Sequence, residues 1–156
     1  MIKYLIMDVD GTLTDGMIYM DEDGEMMKAF NIKDGYGIAV MLPQRGITPV
    51  VITGRWSEIV TERCKELKIK HCFQDVKDKL ETLHKFLSKQ GGTLSECAYI
   101  GDDLNDMPCM KCVKESGGIT ACPSDAVEDV KRFVDFVSTN KGGCGAVRDF
   151  IDNCIL

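Results

Sequence analysis

Apolar residues in this chain follow two patterns that alternate from one end to the other. Short continuous apolar runs are typical of strands buried on both faces, and apolar residues three or four apart are typical of helices. The runs predict strands at residues 4–7, 49–52, 72–73, 98–100 and 119–121. The helical spacing predicts helices at residues 38–42, 58–67, 80–87, 107–113, 126–133 and 146–155. The alternation predicts an α/β fold with a doubly wound, mostly parallel sheet.

Residues 17–30 interrupt this alternation with a predicted β-hairpin. Two short strand-like runs flank the turn sequence Asp21-Glu22-Asp23-Gly24. A lone hairpin is marginally stable, so its apolar side chains must pack on the same domain or on another subunit, and the sequence leaves both open. These apolar residues are Met17, Ile18, Met20, Met26, Met27 and Phe30. With no linker or internal repeat, we expect residues 1–156 to form one domain.

Composition and charge exclude several classes of protein. The formal net charge of -6 argues against nucleic acid and anionic membranes as partners. No apolar run approaches the roughly 20 residues of a membrane span, and the N-terminus lacks the flanks of a signal peptide, so we expect a cytoplasmic protein. There the eight cysteines are expected to remain thiols. Cys109 and Cys112 form a C-x-x-C, but no second pair completes a zinc site.

Polar side chains follow three of the predicted strands where each strand ends. In an open α/β sheet the carboxyl ends of parallel strands meet at one edge, and ligands bind there. Lys79 opens a predicted helix that leads back to the same sheet. The polar positions at this edge are Asp8, Asp10, Thr53, Gly54, Arg55, Asp102, Asp103 and Asp106. Carboxylates gathered in this way repel one another unless a cation lies among them, and an all-oxygen ligand set suits magnesium.

A magnesium site of this kind predicts phosphoryl chemistry. Asp8 is a carboxylate that can attack phosphorus directly, and Asp10 can protonate the leaving oxygen and then deprotonate water. We expect Gly11 to allow a sharp turn and the Thr12 hydroxyl to hold Asp10. The spacing from Asp8 does not fit a calcium loop, which needs glycine at the sixth position and glutamate at the twelfth.

Four segments resemble the motifs of the haloacid dehalogenase superfamily of phosphatases. They are "DVDGTLTDG", "VITGR", Lys79 and "IGDDLNDMPCM", in that order along nearly the whole chain. The resemblance implies a Rossmann-like fold. The interval between Asp8 and Thr53 holds only the hairpin and one helix, which implies the capless branch of the superfamily.

Within that branch the chain resembles the 3-deoxy-D-manno-octulosonate 8-phosphate phosphatases of lipopolysaccharide biosynthesis. The segments that carry this resemblance are "FNIKDGYGI", "VITGR", "ERCKELKIKHCFQDVKDKL" and "GGCGAVRDF". It implies a homotetramer whose active site lies near a subunit interface, with the hairpins packed together. The implied roles are nucleophile for Asp8, acid/base for Asp10, phosphate ligands for Thr53 and Lys79, magnesium ligands for Asp8, the Asp10 carbonyl and Asp102, and support for Asp103 and Asp106. Orienting Lys79 or a metal-bound water is the supporting role open to Asp106, and helix capping or solvation is the alternative.

The substrate is predicted from fewer residues. Arg55, directly after Gly54, is placed to bind a sugar-acid carboxylate, and its alternative role is a surface ion pair. Lys33 and Asp34 are expected to lie close enough to contact substrate. The alternative for Lys33 is a solvated surface lysine. A glutamate at the position of Arg55 is the pattern of nonulosonate 9-phosphate phosphatases, which remain an alternative. The other alternative is a catalytically idle oligomerisation module.

The chain also departs from the family pattern. Lys33 and Cys144 stand where relatives have arginine, and the sequence ends at Leu156 without the longer tail that reaches a neighbouring site in relatives. Pro43 is expected to end or kink the first helix.

Overall fold

The computed structural model describes residues 1–155, apart from the side chain of Met26. The predicted packing of Met26 and the end of the chain at Leu156 therefore lie outside the described residues. No helix in the described part is long and apolar enough to cross a membrane.

Six strands form one parallel sheet. Its order is β5-β4-β1-β6-β7-β8, and every neighbouring pair is parallel. At the end of the central strand, Met7 lies opposite Val51 on one side and Ile100 on the other. The strands are β1 (Tyr4–Met7), β4 (Thr48–Ile52), β5 (His71–Phe73), β6 (Cys97–Ile100), β7 (Ile119–Cys122) and β8 (Phe136–Val137). The predicted doubly wound parallel sheet is confirmed; β8, only two residues long, was missed because so short a run carries no pattern.

Helices cover both faces of the sheet. The α-helices are α1 (Ile32–Tyr36), α2 (Leu42–Gln44), α3 (Glu58–Glu66), α4 (Lys79–Gln90), α5 (Met107–Glu115), α6 (Glu128–Phe133) and α7 (Ala146–Phe150). Wider π-helical turns span Gly37–Met41 and Ile151–Ile155, and short 3₁₀ turns span Leu94–Glu96 and Leu104–Asp106. The first helical segment consists of α1, the π-helical turn Gly37–Met41 and α2, and it ends at Gln44. Pro43 lies in its last turn, as the missing N–H of proline predicts.

Alternation along the strands divides the core into two layers. Leu5 and Met7 point to one face, where they pack with Phe150 and Ile151. Ile6 points to the other face, where Leu83 and Met110 are among its partners. This period of two fixes which side chains of each strand belong to which layer of the core.

The predicted hairpin forms a separate two-stranded sheet. It consists of β2 (Tyr19–Asp21) and β3 (Gly24–Met27), paired antiparallel. Phe30, just after it, is partly buried against the core. The side chains of Met17, Ile18, Met20 and Met27 are instead exposed. About half or more of each of these side chains is therefore left exposed.

Candidate active site

The carboxyl ends of the central strands open into a cleft of about 300 Å³. It is lined by Asp8, Asp10, Gly16, Ile18, Thr53, Gly54, Arg55, Asp102, Asp103 and Asn105. A second hollow, beside Phe30 and Arg63, holds only about 10 Å³, which is too little for a substrate. The cleft thus brings together most of the polar residues that follow the three strands.

The loop after β1 is folded by its own backbone and by one hydroxyl. The backbone N–H groups of Thr12, Leu13 and Thr14 all donate to the carbonyl of Val9. The buried Thr14 hydroxyl accepts hydrogen bonds from the backbone N–H groups of Gly11 and Gly16. This role of Thr14 was not predicted, because its signal is only one further hydroxyl in a threonine-containing loop.

Gly11 is required where this loop turns. Its φ is +90°, and a Cβ there would lie 2.0 Å from Oδ2 of Asp102. The predicted sharp turn is confirmed, and the close approach of backbone to carboxylate gives a second reason for glycine.

A distant loop packs on the same turn. A Cβ at Gly142 would lie 1.9 Å from the Gly11 carbonyl oxygen, and the Gly143 N–H donates to the Thr12 carbonyl at 3.1 Å. The Gly-Gly-Cys-Gly stretch thus supports the turn through its backbone. Cys144 itself is exposed and does not line the cleft.

Asp8 lies at the floor of the cleft in a buried ion network. Lys79 Nζ is 2.8 Å from Asp8 Oδ1 and 2.8 Å from Asp106 Oδ1. Burial and the charge of Asp106 raise the pKa of Asp8 to about 6, although Lys79 opposes the shift. Burial lowers the pKa of Lys79, but the two carboxylates outweigh it and the net shift is upward. The pKa of Asp8 is thus raised chiefly by burial, and the pKa of Lys79 is raised by the two carboxylates beside it.

Asp106 is the residue that joins Lys79 to the loop after β6 by hydrogen bonds. The Tyr99 hydroxyl donates to its Oδ1 at 2.8 Å, and the backbone N–H groups of Asp102 and Asp103 donate to Oδ2. Asp103 lines the cleft and caps the short turn that follows. Because Lys79 shares Oδ1, both oxygens of Asp106 are already occupied. Tyr99, buried within β6, was not anticipated, since its position in an apolar run marked it only as core.

The donor set fits a divalent cation. Carboxylate oxygens of Asp8, Asp102 and Asp106 lie within 4.8 Å of one another. Burial, with repulsion from Asp8 and Asp106, raises the pKa of Asp102 to about 8. Lys79 alone cannot neutralise three carboxylates, and hard oxygen ligands suit magnesium. Since Asp106 is occupied, Asp8 and Asp102 are the side chains best able to hold the metal.

Asp10 is held differently from the prediction. The Thr12 hydroxyl donates to Asp102 Oδ1 at 3.2 Å, not to Asp10. The expectation that Thr12 holds Asp10 was therefore wrong, because the turn at Gly11 brings Asp102 closer. Lys28, just after β3, donates to Asp10 Oδ1 at 2.6 Å. Nothing in the sequence marked this lysine among the charged residues of the hairpin.

The loop after β4 supplies the opposite wall. Thr53 is buried, and its backbone pairs with Phe73 and Val76. A Cβ at Gly54 would meet only the Val76 carbonyl at 3.7 Å, so glycine is not required there. Arg55 is about half-exposed, with a terminal nitrogen 3.9 Å from Glu25.

Lys33 and Asp34 do not line the cleft. Lys33 is exposed in the first turn of α1. Asp34 is buried, and its Oδ1 accepts a hydrogen bond from the Arg148 backbone N–H at 2.8 Å. Burial raises the pKa of Asp34 to about 6.

No protein-family model matches the chain, but curated proteins and solved structures do. The 3-deoxy-D-manno-octulosonate 8-phosphate phosphatase KdsC of Escherichia coli K12 is 41% identical over 155 residues, covering 99% of this chain and 80% of that protein. The phosphatase of the same name from Moraxella catarrhalis, in complex with magnesium ion, phosphate ion and KDO, is 42% identical with a TM-score of 0.87, covering 95% of this chain and 82% of that one. A putative hydrolase of the haloacid dehalogenase superfamily from Legionella pneumophila is 37% identical with a TM-score of 0.90, covering 97% of this chain and 80% of that one.

Proposed function

We propose that this chain, which belongs to the 3-deoxy-D-manno-octulosonate 8-phosphate phosphatase family of the haloacid dehalogenase superfamily, hydrolyses that sugar-acid phosphate. It is a phosphoric monoester hydrolase, and magnesium is its cofactor. The observation that carries the proposal is the meeting of Asp8, Asp10 and Asp102 at one cleft, with the buried Lys79 bonded to Asp8. An idle module would have no need of this arrangement.

Asp8 is the nucleophile in this proposal. Its carboxylate oxygen attacks phosphorus, the ester bond to the sugar oxygen breaks, and an aspartyl phosphate forms. Lys79 orients the attacking carboxylate through its hydrogen bond and stays charged throughout. Its ammonium and the Thr53 hydroxyl contact the phosphoryl oxygens.

Asp10 moves the protons. It gives a proton to the departing sugar oxygen, and then removes one from the water that attacks the aspartyl phosphate. That second displacement releases inorganic phosphate and restores the Asp8 carboxylate. The partial exposure of Asp10 lets it exchange protons with solvent, in contrast to the enclosed Asp8.

We assign magnesium to the carboxylates of Asp8 and Asp102 with the Asp10 carbonyl. When bound, magnesium offsets the charge of the carboxylates and of the phosphoryl group. Asp103 and Asp106 support this set through the loop after β6.

Arg55 is the residue that we assign to the substrate carboxylate. It lines the cleft, and its weak contact with Glu25 at 3.9 Å leaves it able to turn toward a ligand. Gly54 lines the cleft beside it. Lys33 and Asp34 do not line the cleft of this chain. Lys33 is exposed, so its contact with substrate requires a site completed by a neighbouring subunit, whereas the buried Asp34 acts on the site only through the backbone that it holds.

We further propose that the enzyme is a cytoplasmic homotetramer. The exposed apolar side chains of the hairpin, together with those of Tyr36 and Trp56, support burial against other copies. The eight cysteines are all free thiols, which suits a reducing compartment.

The test is steady-state kinetics with magnesium on the octulosonate 8-phosphate, nonulosonate 9-phosphates and a generic aryl phosphate. We expect the octulosonate to have the highest kcat/KM, and Asp8→Asn to lower turnover on the order of 10⁴-fold on every substrate. A preference for nonulosonates would reassign the substrate, and no magnesium-dependent hydrolysis at all would reject the enzyme.

A further inference from the structure

Lys28 has an enclosed side chain at the edge of the cleft. Its side chain is only 2% exposed, and its ammonium lies 2.6 Å from Asp10 Oδ1 and 2.9 Å from Glu25 Oε2. Lysine is almost never fully buried unless it is paired. Two carboxylates therefore fix this ammonium in one position.

This contact is the main anchor of the Asp10 side chain. Across residues 1–155, leaving aside the side chain of Met26, the carboxylate of Asp10 accepts a side-chain hydrogen bond only from Lys28, and at Oδ1. The Thr12 hydroxyl is directed to Asp102 instead. Oδ2 of Asp10 is thus left to face a leaving oxygen or a water molecule.

Glu25 connects Lys28 to the parallel-sheet domain. Its other oxygen accepts a hydrogen bond from the hydroxyl of Ser57, the residue before α3. The Ser57 N–H in turn donates to Gln74 at 2.8 Å. A continuous chain of hydrogen bonds therefore runs from the loop after β5, through the hairpin, to Asp10.

We propose that Lys28 is a positioning residue for acid/base catalysis: it holds Asp10 with one carboxylate oxygen directed at the reacting oxygen, and Glu25 holds Lys28. The inference rests on the proposed phosphatase function. Because Lys28 acts through Asp10, removing it lowers kcat while KM changes little. Its loss has no further effect once Asp10 no longer transfers protons.

A lysine that binds substrate directly would behave differently. Its removal would raise KM, and the effect would persist whichever side chain stood at position 10. A lysine that only supports the fold would lower stability and kcat in every background. The three roles therefore separate in a double-mutant cycle.

The experiment compares the wild type, Lys28→Met, Asp10→Asn and the double variant in saturating magnesium, with the sugar phosphate that the wild type hydrolyses best. We expect Lys28→Met to lower kcat about 10- to 100-fold in the wild-type background and less than about 3-fold beside Asp10→Asn. Lys28→Arg, which keeps the charge, should recover part of the loss. Lys85→Met, an exposed lysine on α4 paired with Glu81, is the matched control and should change kcat less than about 2-fold.

Equal losses in both backgrounds, a loss confined to KM, or wild-type kcat in Lys28→Met would each overturn the inference. An inactive wild type would instead reject the proposed function. Thermal unfolding of Lys28→Met and Lys28→Arg separates misfolding from mispositioning, since Lys28→Arg tests the proposal even where Lys28→Met is unstable.

Discussion

The site contains two pairs of lysine and aspartate, and they come from different parts of the molecule. Lys79 begins a helix of the parallel-sheet domain and meets Asp8 at 2.8 Å, with both side chains at most 7% exposed. Lys28 comes from the hairpin and meets Asp10 at 2.6 Å, where the aspartate side chain is 26% exposed. The Lys79–Asp8 pair therefore belongs to the core, whereas the Lys28–Asp10 pair lies where the aspartate reaches solvent.

This difference separates two requirements of the proposed reaction. The nucleophile must be held rigidly, so Asp8 shares its lysine with a second buried acid, Asp106. The acid/base residue must exchange protons with water, so Asp10 remains partly exposed. Loss of the core pair should therefore cost both stability and catalysis, whereas loss of the hairpin pair should cost mainly catalysis.

The largest effect is expected from Lys79→Met. Removing the ammonium leaves Asp8 and Asp106 buried without their cation, which should cost about 3 kcal/mol or more of unfolding free energy. Turnover should fall on the order of 10³-fold or more. Denaturant unfolding and steady-state kinetics measure the two losses. Lys85→Met serves again as the control on the same helix, and a Lys79→Met enzyme with a tenth of the normal turnover would contradict this account.

Gly11→Ala should also have a large effect, because Gly11 lies against Asp102, one of the carboxylates that we assign to magnesium. A methyl group there meets the Asp102 carboxylate at 2.0 Å on a backbone with φ of +90°. Turnover should fall about 100-fold, and half-saturation should need at least about ten times more magnesium. Gly46→Ala is the matched control: its φ is +70°, but nothing lies within 4 Å. Gly46→Ala should cost about 1 kcal/mol of stability and leave turnover unchanged. Equal losses of activity in the two variants would mean that backbone strain, and not the contact with Asp102, explains the effect of Gly11→Ala.

Asp34 extends the comparison to a buried aspartate held by backbone N–H groups. Its pKa is about 6 in the folded chain and near 3.8 when unfolded, so its stabilising contribution is complete below pH 4 and is lost as the pH rises through 6. Relative to wild type, Asp34→Asn should therefore gain about 2 kcal/mol of unfolding free energy between pH 4 and pH 7. Urea unfolding at both pH values measures this difference.

Asp129→Asn, at an exposed position of α6, is the control for Asp34→Asn and should show no such gain. A constant difference between Asp34→Asn and wild type across this pH range would mean that the aspartate is solvated.

The smallest effect is expected from Ser57→Ala, which removes one hydrogen bond between the hairpin and α3. Amides of residues 19–27 should exchange with deuterium about 5- to 10-fold faster, with kcat within about 3-fold of wild type. Hydrogen exchange followed by mass spectrometry detects the change. Unaltered exchange in the hairpin would show that Glu25 is not its tether.

The parallel sheet and the floor of the cleft were predictable, because both follow from local pattern. Continuous apolar runs identify the strands, and the residue after each run necessarily emerges at the carboxyl edge, as Asp8 and Asp102 do. The partners of Asp10 were not predictable. Lys28 follows the second strand of a hairpin whose register shifts between Tyr19 and Met20, so its position relative to Asp10 cannot be read from spacing. The Thr12 hydroxyl could have reached either of two carboxylates, and only three-dimensional placement decides between them.

The packing of Gly142 and Gly143 on the loop after β1 has a consequence for folding. These glycines contact Gly11 and Thr12 across about 130 residues of chain, one of the longest separations that the molecule offers. Closing so long a segment of chain costs entropy, which contacts within that segment offset. The nucleophile loop is therefore complete only when nearly the whole polypeptide has folded, and a partly synthesised chain would hold Asp8 without the means to use it.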